Sequence, residues 1–344
     1  MSYTLLKTIC GVAIWFSLLG AVRAATDDTV DLSDVMQRAQ AWAQDNLDTN
    51  FLNSLPELDE RAVTNFFNEI QKRYQGDLVV DIGDLRATAQ TVLPILQNYE
   101  ETQPYAAWLK SQLDYFEVAD DLRRSVPPAK VETNHPAPPI VAANPTPQRE
   151  QEIWIKKVSG RPWPTGAKDY VPRLKPIFAA EKVPPELVWV AGVESSFDRR
   201  ARSPSGAAGL FQLMPDTAKH YGLSLWPRDQ RYQPVPSATA TARNLKDLHD
   251  RFHDWRLVLA AYNAGEGRVQ KLMDRYGTQS YNGIAMHLPA ETQLYVPRVE
   301  ATIREYEGVR LDQLSEGMTG GFSGILAAMI GGWATDTLLC NSSP

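Results

Sequence analysis

Apolar residues recur at helical spacing through the first third of the chain. The pattern is present in four stretches: residues 31–47, 63–74, 85–96 and 105–119. In each stretch the apolar side chains fall three or four positions apart, which places them on one face of a helix. A shorter apolar run, Leu78 to Ile82, predicts a strand instead. We therefore predict a small N-terminal helical region over residues 25–125, and since it carries no motif for chemistry, a scaffold or docking role is its simplest interpretation.

A proline-rich segment follows this region. Seven prolines stand between residues 126 and 147, and the segment has no hydrophobic period. Proline favours an extended, polyproline-like backbone, and such a composition is typical of linkers. We predict a Pro-rich linker over residues 126–149, and this is the best candidate for a domain boundary in the chain.

Residues 150–310 return to helical spacing, with short loops marked by glycine and proline. Proline favours the first turn of a helix, and glycine often follows the last. These signals predict helices from Pro184 and Pro185 to about Ser195, from Pro215, from Pro236, over Trp255 to Tyr262, and over Glu291 to Tyr306. The expected fold class is therefore mostly α.

The two ends of the chain differ from its middle. Lys7 precedes an apolar run, and Val22-Arg23-Ala24 has the small residues that signal peptidase accepts. We predict a signal peptide over residues 1–24, cleaved near Ala24, which implies an exported protein of the periplasm or cell envelope. An uncleaved N-terminal anchor is the alternative. Residues 311–344 form a Gly-rich apolar tail, for which we expect disorder or loose packing, or contact with a membrane.

Composition narrows the partner classes. The chain has 344 residues, of which 43% are hydrophobic and 22% charged, as in an ordinary soluble globular protein. Its formal net charge is −6, and a nucleic-acid binder is usually basic, so nucleic acid is not expected as a partner. The two cysteines, Cys10 and Cys340, cannot form a disulfide framework.

Glu194 is the first candidate for chemistry. It follows an almost wholly apolar helical stretch and shares a helix face with Leu187, Val190 and Ala191. Burial raises the pKa of a carboxyl group, and a raised pKa supplies a general acid near neutral pH. Glycosidic bonds need such an acid, because the leaving alkoxide is strongly basic. The alternative is a glutamate at a helix end that points to water.

Other polar positions strengthen this interpretation, although each is weak by itself. The small, polar loop from Ala201 to Gly209 lets a bulky ligand approach the backbone. Gln212 can donate to and accept from a sugar or an acetamido group. Tyr262 and Asn263 stand together at a helix C-terminus, and Tyr295 lies in a segment bounded by Pro289 and Pro297.

Three motifs resemble one family in their order and intervals. They are Glu194-Ser195, Gly209-Leu210-Phe211-Gln212 and Ala261-Tyr262-Asn263-Ala264-Gly265. Over residues 165–306 the chain resembles the family 1 lytic transglycosylases, lysozyme-like domains that cut peptidoglycan, and residues 193–222 look most like the membrane-bound murein transglycosylase D branch. Phe211 replaces the family's usual methionine, which we expect to change a groove wall, and residues 1–344 show no pattern of the LysM repeats that often follow this domain in that branch.

The resemblance implies a lysozyme-like fold and a role for each motif residue. Glu194 matches the single catalytic acid/base of the family. Substrate-binding roles fall on Ser203, which hydrogen-bonds the catalytic carboxyl in the family, and on Gln212, Tyr262, Asn263 and Tyr295. The implied reaction cleaves the β-1,4 bond between N-acetylmuramic acid and N-acetylglucosamine without water and leaves a 1,6-anhydromuramic end. Peptidoglycan glycan strands are the implied partner, with no cofactor and no metal.

Two alternatives remain open from the sequence. A hydrolytic muramidase on the same fold needs a second carboxylate, and the acids nearest Glu194 in sequence are Glu186, Asp198 and Asp216. A non-catalytic glycan-binding protein could keep the groove and lose the reaction. His249 and His253 stand four positions apart, but no third ligand accompanies them, so a solvated helix face is the better interpretation than a zinc site.

Overall fold

The computed structural model describes residues 60–97, 100, 102–125 and 144–314. In these ranges the backbone is helical with short loops, and isolated bridges at Arg202, Ala208 and Leu213 are its only β pairings. The mostly α class is confirmed. No helix within the described ranges is long and apolar enough to span a bilayer. The predicted signal peptide, the helix over 31–47, the predicted linker up to residue 143 and the tail beyond residue 314 lie outside the described residues.

Three helices form the described part of the N-terminal region. They are α1 (Glu60–Gln75), α2 (Arg86–Gln97) and α3 (Gln103–Ser125). Each confirms a helix predicted from apolar spacing. The side chains that set the spacing in α1, among them Phe66, Ile70 and Tyr74, are buried in the core.

The predicted strand at Leu78 to Ile82 is wrong. Val79–Leu85 form a 3₁₀ helix instead. Apolar side chains on both faces of this segment are buried, including Val79, Val80 and Ile82, and a short apolar run of this kind cannot be distinguished from a strand by periodicity. The segment packs directly on α3, because a Cβ added at Gly83 would lie 2.9 Å from the backbone nitrogen of Asp120.

Nine helices make up the described C-terminal part. They are α4 (Pro147–Val158), α5 (Ala167–Ala180), α6 (Val190–Ser195), α7 (Pro215–His220), α8 (Pro234–Phe252), α9 (Trp255–Ala264), α10 (Glu266–Tyr276), α11 (Tyr281–Ile284) and α12 (Ala290–Glu307). The predicted helices at Pro215, Trp255 and Glu291 are confirmed. In α9, the Asp254 side chain accepts hydrogen bonds from the backbone N–H groups of Arg256 and Leu257, and Gly265 with φ of 89° ends the helix.

Two predicted helices differ in detail. The element from Pro185 to Ser195 is divided into a 3₁₀ helix, Pro185–Trp189, and the short helix α6. The helix predicted from Pro236 begins at Pro234, since proline is accommodated throughout the first helical turn. No pattern predicted α5, which contains Pro172 and Pro176.

One hydrophobic core joins the two parts of the chain. It runs from Phe66 in α1 to Leu311, and α12 is buried along most of its length within it. Helix α12 packs on α1, α4, α6 and α9, and α3 packs on α4 and α6. The N-terminal helices therefore form a wall behind α6, the helix that carries Glu194.

Candidate active site

Glu194 lies near the C-terminal end of α6. The side chains before it, including Val190 and Ala191, are fully buried. Ser196 and Phe197 then turn the chain with φ values of 52° and 61°, and Gly192 leaves room for the returning ring, because a Cβ there would lie 3.1 Å from Cε2 of Phe197. Glu194 itself is partly exposed. The fold thus holds this carboxyl group at the edge of the core.

The surroundings of Glu194 favour its protonated form. Loss of hydration raises the pKa of this carboxyl group from 4.5 to about 8. The Tyr295 hydroxyl opposes the rise, the carboxyl group of Glu291 adds to it, and the positive charge of Arg298 opposes it. The carboxyl group therefore carries its proton at neutral pH, as a general acid requires.

Tyr295 lies beside this acid. It occupies the second turn of α12 and is 1% exposed. Its hydroxyl makes no hydrogen bond of regular geometry with the described residues, yet it is near enough to Glu194 to lower the pKa of the carboxyl group. The structure thus brings together Glu194 and this predicted site residue.

Gln212 presents one unpaired atom. Its side-chain nitrogen donates to the carbonyl oxygens of Ala201 at 3.0 Å and Gly209 at 2.9 Å. Its side-chain oxygen is buried and has no hydrogen-bond partner within the described ranges. Because both amide hydrogens are engaged, the hydrogen-bonding capacity left to the Gln212 side chain is that of an acceptor.

Arg231 holds the loop around Gln212 in place by hydrogen bonds to its backbone. This side chain is buried, and its Nη1 donates to the carbonyl oxygens of Gly206 at 2.7 Å and Leu213 at 3.0 Å. Gly209 has φ of 81°, and a Cβ there would lie 1.9 Å from the carbonyl oxygen of Arg231. The close approach requires glycine at this position. Ser195 also holds this loop, because its Oγ donates to the carbonyl oxygen of Leu210 at 2.8 Å.

No hydrogen bond among the described residues joins Ser203 to Glu194. Its Oγ accepts a hydrogen bond from the backbone N–H of Ala207 at 3.0 Å, and its backbone N–H donates to the Ala207 carbonyl at 2.9 Å. These bonds close the turn of the loop. The hydrogen bond to the catalytic carboxyl that the resemblance implies remains a prediction.

Tyr262 and Asn263 reach the site from the end of α9. The Tyr262 hydroxyl donates to the carbonyl oxygen of Phe211 at 2.6 Å. Burial raises the pKa of Tyr262, and the charge of Glu194 adds to the rise. The side-chain oxygen of Asn263 accepts from Thr292 Oγ1 at 2.6 Å. Tyr262 thus anchors the Gln212 loop, and Asn263 joins α9 to the start of α12.

The expectation that Phe211 forms part of a groove wall is wrong. Its side chain is fully buried and packs against Phe178, with ring centroids 5.8 Å apart. The backbone of Phe211 faces Tyr262, while the ring points into the core. Its exchange for the family's methionine therefore changes core packing.

Two charged residues of the site were not predicted from the sequence. Burial raises the pKa of Glu291 to about 7, and the Asn263 side-chain nitrogen donates to its Oε1 at 3.4 Å. Arg298 is the second, and its positive charge acts on Glu194. Glu291, Tyr295 and Arg298 stand at positions i, i+4 and i+7 of α12, a spacing that places them on one helix face. That spacing is a signal the sequence contained.

Comparison with known proteins identifies part of the chain. Residues 178–284 match the family model of the Transglycosylase SLT domain. The membrane-bound lytic murein transglycosylase D of Escherichia coli K12 is 41% identical over 123 residues, which are 35% of this chain and 27% of that protein. A putative tributyltin chloride resistance protein of an Alteromonas species is 34% identical over 121 residues, 35% of this chain and 55% of that protein.

The chain thus spans only about a quarter of the length of the murein transglycosylase that it matches. Among solved structures, the 70 kDa soluble lytic transglycosylase SLT70 of Escherichia coli aligns with a TM-score of 0.36 and 17% identity, over 85% of this chain and 60% of that one. The segment that matches the SLT model contains Glu194, Ser203, Gln212, Tyr262 and Asn263. Residues 178–284 therefore match the transglycosylase SLT domain, and over that part the chain is similar to the lytic murein transglycosylases.

Proposed function

We propose that this protein is a lytic transglycosylase of peptidoglycan. It cleaves the β-1,4 bond between N-acetylmuramic acid and N-acetylglucosamine without consuming water. The observation that carries the proposal is the carboxyl group of Glu194, which is partly exposed and has its pKa raised to about 8 within the SLT segment. A group in this state can deliver a proton to a substrate that reaches it from solvent.

In the first half of the reaction Glu194 acts as the acid. Its proton passes to the bridging oxygen, the bond from that oxygen to C1 of the muramic sugar breaks, and the N-acetylglucosamine side leaves with a 4-hydroxyl group. The carbonyl oxygen of the muramic 2-acetamido group bonds to C1 as the leaving group departs. Glu194 is then a carboxylate.

In the second half Glu194 acts as the base. The carboxylate takes the proton of the C6 hydroxyl, O6 bonds to C1, and the acetamido oxygen is released from C1. The product is a 1,6-anhydromuramic end, and Glu194 has its proton again. One carboxyl group therefore serves both steps, and the charge of Arg298 favours its carboxylate form between them.

The remaining site residues hold the substrate in this proposal. The unpaired side-chain oxygen of Gln212 is suited to an N–H or O–H group of the glycan. Asn263 and Tyr262 line the cleavage site, Tyr295 lies beside the acid, and Ser203 orients the Glu194 carboxyl group. The matched segment contains Ser203, Gln212, Tyr262 and Asn263, while Tyr295 lies beyond its end.

The proposed location is the bacterial envelope. Residues 1–24 have the pattern of a signal peptide, and the murein transglycosylase relative is described as membrane-bound. We propose export, with peptidoglycan strands as the partner and association with the membrane or envelope.

The test is mass spectrometry of the fragments that the mature protein releases from purified peptidoglycan. Glu194→Gln removes the acid while keeping the shape of the side chain. Asp198→Asn is the matched control, because Asp198 is also a carboxylate near the site in sequence but accepts a hydrogen bond from the Arg200 backbone N–H at 2.9 Å. We expect anhydromuramic ends from the wild type and the control, and none from Glu194→Gln.

Other results would contradict the proposal in distinct ways. Reducing muramic ends would show a hydrolytic muramidase. An absence of products from the wild type, together with retained binding of glycan strands, would show a glycan-binding protein. Full activity of Glu194→Gln would refute the assigned acid.

A further inference from the structure

Arg298 is a buried cation behind the candidate active site. It lies on α12, one turn beyond Tyr295, and is 5% exposed. Its Nη1 donates to the carbonyl oxygen of Ser111 at 2.9 Å, and its Nη2 lies 3.4 Å from Asp114 Oδ2. The guanidinium carbon lies 4.6 Å from the ring centroid of Tyr115. This side chain therefore has one defined position.

Arg298 and the residues that hold it all lie outside the matched SLT segment. Ser111, Asp114 and Tyr115 belong to α3 of the N-terminal region, and Trp154 of α4 supplies a second aromatic ring at 5.3 Å. The N-terminal helical region thus provides most of the binding pocket of a charged residue that the C-terminal part supplies. A scaffold or docking role alone does not account for such an arrangement.

Asp114 is itself held firmly. Arg161 donates to its two carboxylate oxygens at 2.8 and 3.0 Å, and Lys157 lies 3.9 Å away. Burial by itself would raise the pKa of Asp114, but the positive charges of Arg298, Arg161 and Lys157 outweigh it and lower the pKa below its usual value. Asp114 is therefore a fixed negative charge against which Arg298 is oriented.

One contact and one charge effect connect this assembly to Glu194. Arg298 shares a helix face with Glu291 and Tyr295, and its charge acts on the Glu194 carboxyl group. Ser111 Oγ lies 3.2 Å from the backbone carbonyl oxygen of Glu194. Helix α3 therefore touches the backbone of the catalytic residue and also fixes the cation that influences its side chain.

A purely structural role explains Arg298 poorly. Removing a guanidinium group from water is costly, and an apolar side chain of similar volume would pack between α3 and α12 at lower cost. A cation is useful where a neighbouring carboxyl group must become a carboxylate during a reaction, as Glu194 does between the two proposed steps. The positive charge of Arg298 acts on the Glu194 carboxyl group in this sense, whereas the charge of Glu291 acts in the opposite sense.

We propose that Arg298 is a positioning residue through which the N-terminal helical region supports the carboxyl group of Glu194. The inference rests on the proposed function in assigning catalysis to Glu194. Arg298 does not touch the substrate. It acts by fixing the wall behind the acid and by stabilising the carboxylate form.

Steady-state kinetics on isolated glycan strands test this role in the mature protein. We expect Arg298→Gln to lower kcat about tenfold or more with little change in KM, because small displacements of a reacting group have large effects on rate. The alkaline limb of the kcat/KM profile should move to higher pH, since loss of the cation makes Glu194 harder to ionise. Arg298→Lys should keep the limb in place.

Arg304→Gln is the matched control. It changes an exposed arginine on the same helix, and we expect both kcat and the pH limb to stay as in the wild type. If the wild-type enzyme formed anhydro products and Arg298→Gln left kcat and the pH limb unchanged, the inference would be wrong while the proposed function stood. An unchanged limb with lost thermal stability would indicate a structural role only.

A second readout needs no activity. The effect of Glu194→Gln on the free energy of unfolding depends on pH, and the pH range of that dependence reports the pKa of Glu194. In protein that also carries Arg298→Gln, the pH range over which Glu194→Gln changes the free energy of unfolding should extend to higher pH. An unchanged pH range would overturn the inference, even if no glycan product forms. If Arg298→Gln fails to fold, Asp114→Asn replaces it and should lower kcat without changing KM; unchanged kcat would again overturn the inference.

Discussion

Glu150 and Glu194 both have a raised pKa, but their carboxyl groups lie in different surroundings. Burial raises the pKa of Glu150, in the first turn of α4, to about 9, and that of Glu194 to about 8. Glu150 is 2% exposed, and its Oε1 has no hydrogen-bond partner among the described residues. It borders a cavity of about 70 Å³ with Tyr281, Arg256 and Glu300. Glu194 is partly exposed.

The difference shows that a raised pKa alone does not mark a catalytic acid. Loss of hydration is the only cause of the rise at Glu150, whereas Glu194 also responds to Tyr295, Glu291 and Arg298. A catalytic carboxyl must reach a substrate and must change its charge during the reaction. Glu194 is partly exposed and its pKa responds to neighbouring groups, whereas Glu150 is buried and its pKa is raised by burial alone.

Activity should separate the two groups most strongly. We expect Glu194→Gln to lower kcat about 10³-fold or more, because proton transfer is lost at both steps. Glu150→Gln, an equally conservative change, should stay within about twofold of the wild type on the scale of ordinary non-site changes. Release of anhydromuropeptides from purified peptidoglycan measures both. A comparable loss in Glu150→Gln would place the second carboxyl in the reaction and remove the contrast.

Replacing Glu150 and Glu194 should affect stability in the opposite order, with the larger effect at Glu150. Both groups keep a proton in the folded state that the unfolded chain releases above a pKa of 4.5. The folded state therefore binds more protons, and stability falls as pH rises from about 4.5 toward the folded-state value of about 9 or about 8. Replacing Glu150 by glutamine should thus stabilise the protein by about 1–3 kcal/mol at pH 7.

Urea unfolding at pH 4 and pH 7 measures this effect. The gain from Glu150→Gln should disappear near pH 4, where the carboxyl group is protonated in both states. Glu194→Gln should show the same trend with a smaller gain, because Glu194 keeps part of its hydration. A gain of equal size at both pH values would show that packing, and not ionisation, is responsible.

The sequence predicted the parts of this molecule that depend on local rules. Helix α9 has an aspartate before its first turn and a glycine after its last, and such signals are readable without a structure. Helix α5 was missed because it contains Pro172 and Pro176, which usually interrupt helices. Val79–Leu85 was taken for a strand because burial of both faces hides the period.

The site was predictable as far as its motifs extend. Glu194, Gln212 and Tyr262 follow from short patterns, and the structure brings them to one loop and two helix ends. The support behind them was not predictable, since Arg298 meets Asp114 across 184 positions of chain. The unpaired oxygen of Gln212 also depends on backbone atoms of Ala201 and Gly209, whose placement no side-chain pattern encodes.

The smallest expected effect concerns Glu291. Its charge raises the pKa of Glu194, so Glu291→Gln should lower that pKa and move the alkaline limb of the kcat/KM profile to lower pH, opposite to Arg298→Gln. We expect kcat to change by less than about tenfold, because Glu291 takes no proton in the proposed steps. Glu266→Gln, on an exposed face of α10, is the control and should not shift the limb.

Glu291 also distinguishes the lytic mechanism, which uses one carboxyl group, from the hydrolytic mechanism, which uses two. It is a second carboxyl group near Glu194, but burial raises its pKa to about 7, so that near pH 7 roughly half of the molecules carry it protonated. A hydrolytic muramidase would need it as a carboxylate, and Glu291→Gln would then abolish turnover as completely as Glu194→Gln. A modest loss with a displaced pH limb leaves Glu194 as the single acid and base, with Glu291 and Arg298 setting its pKa from opposite directions.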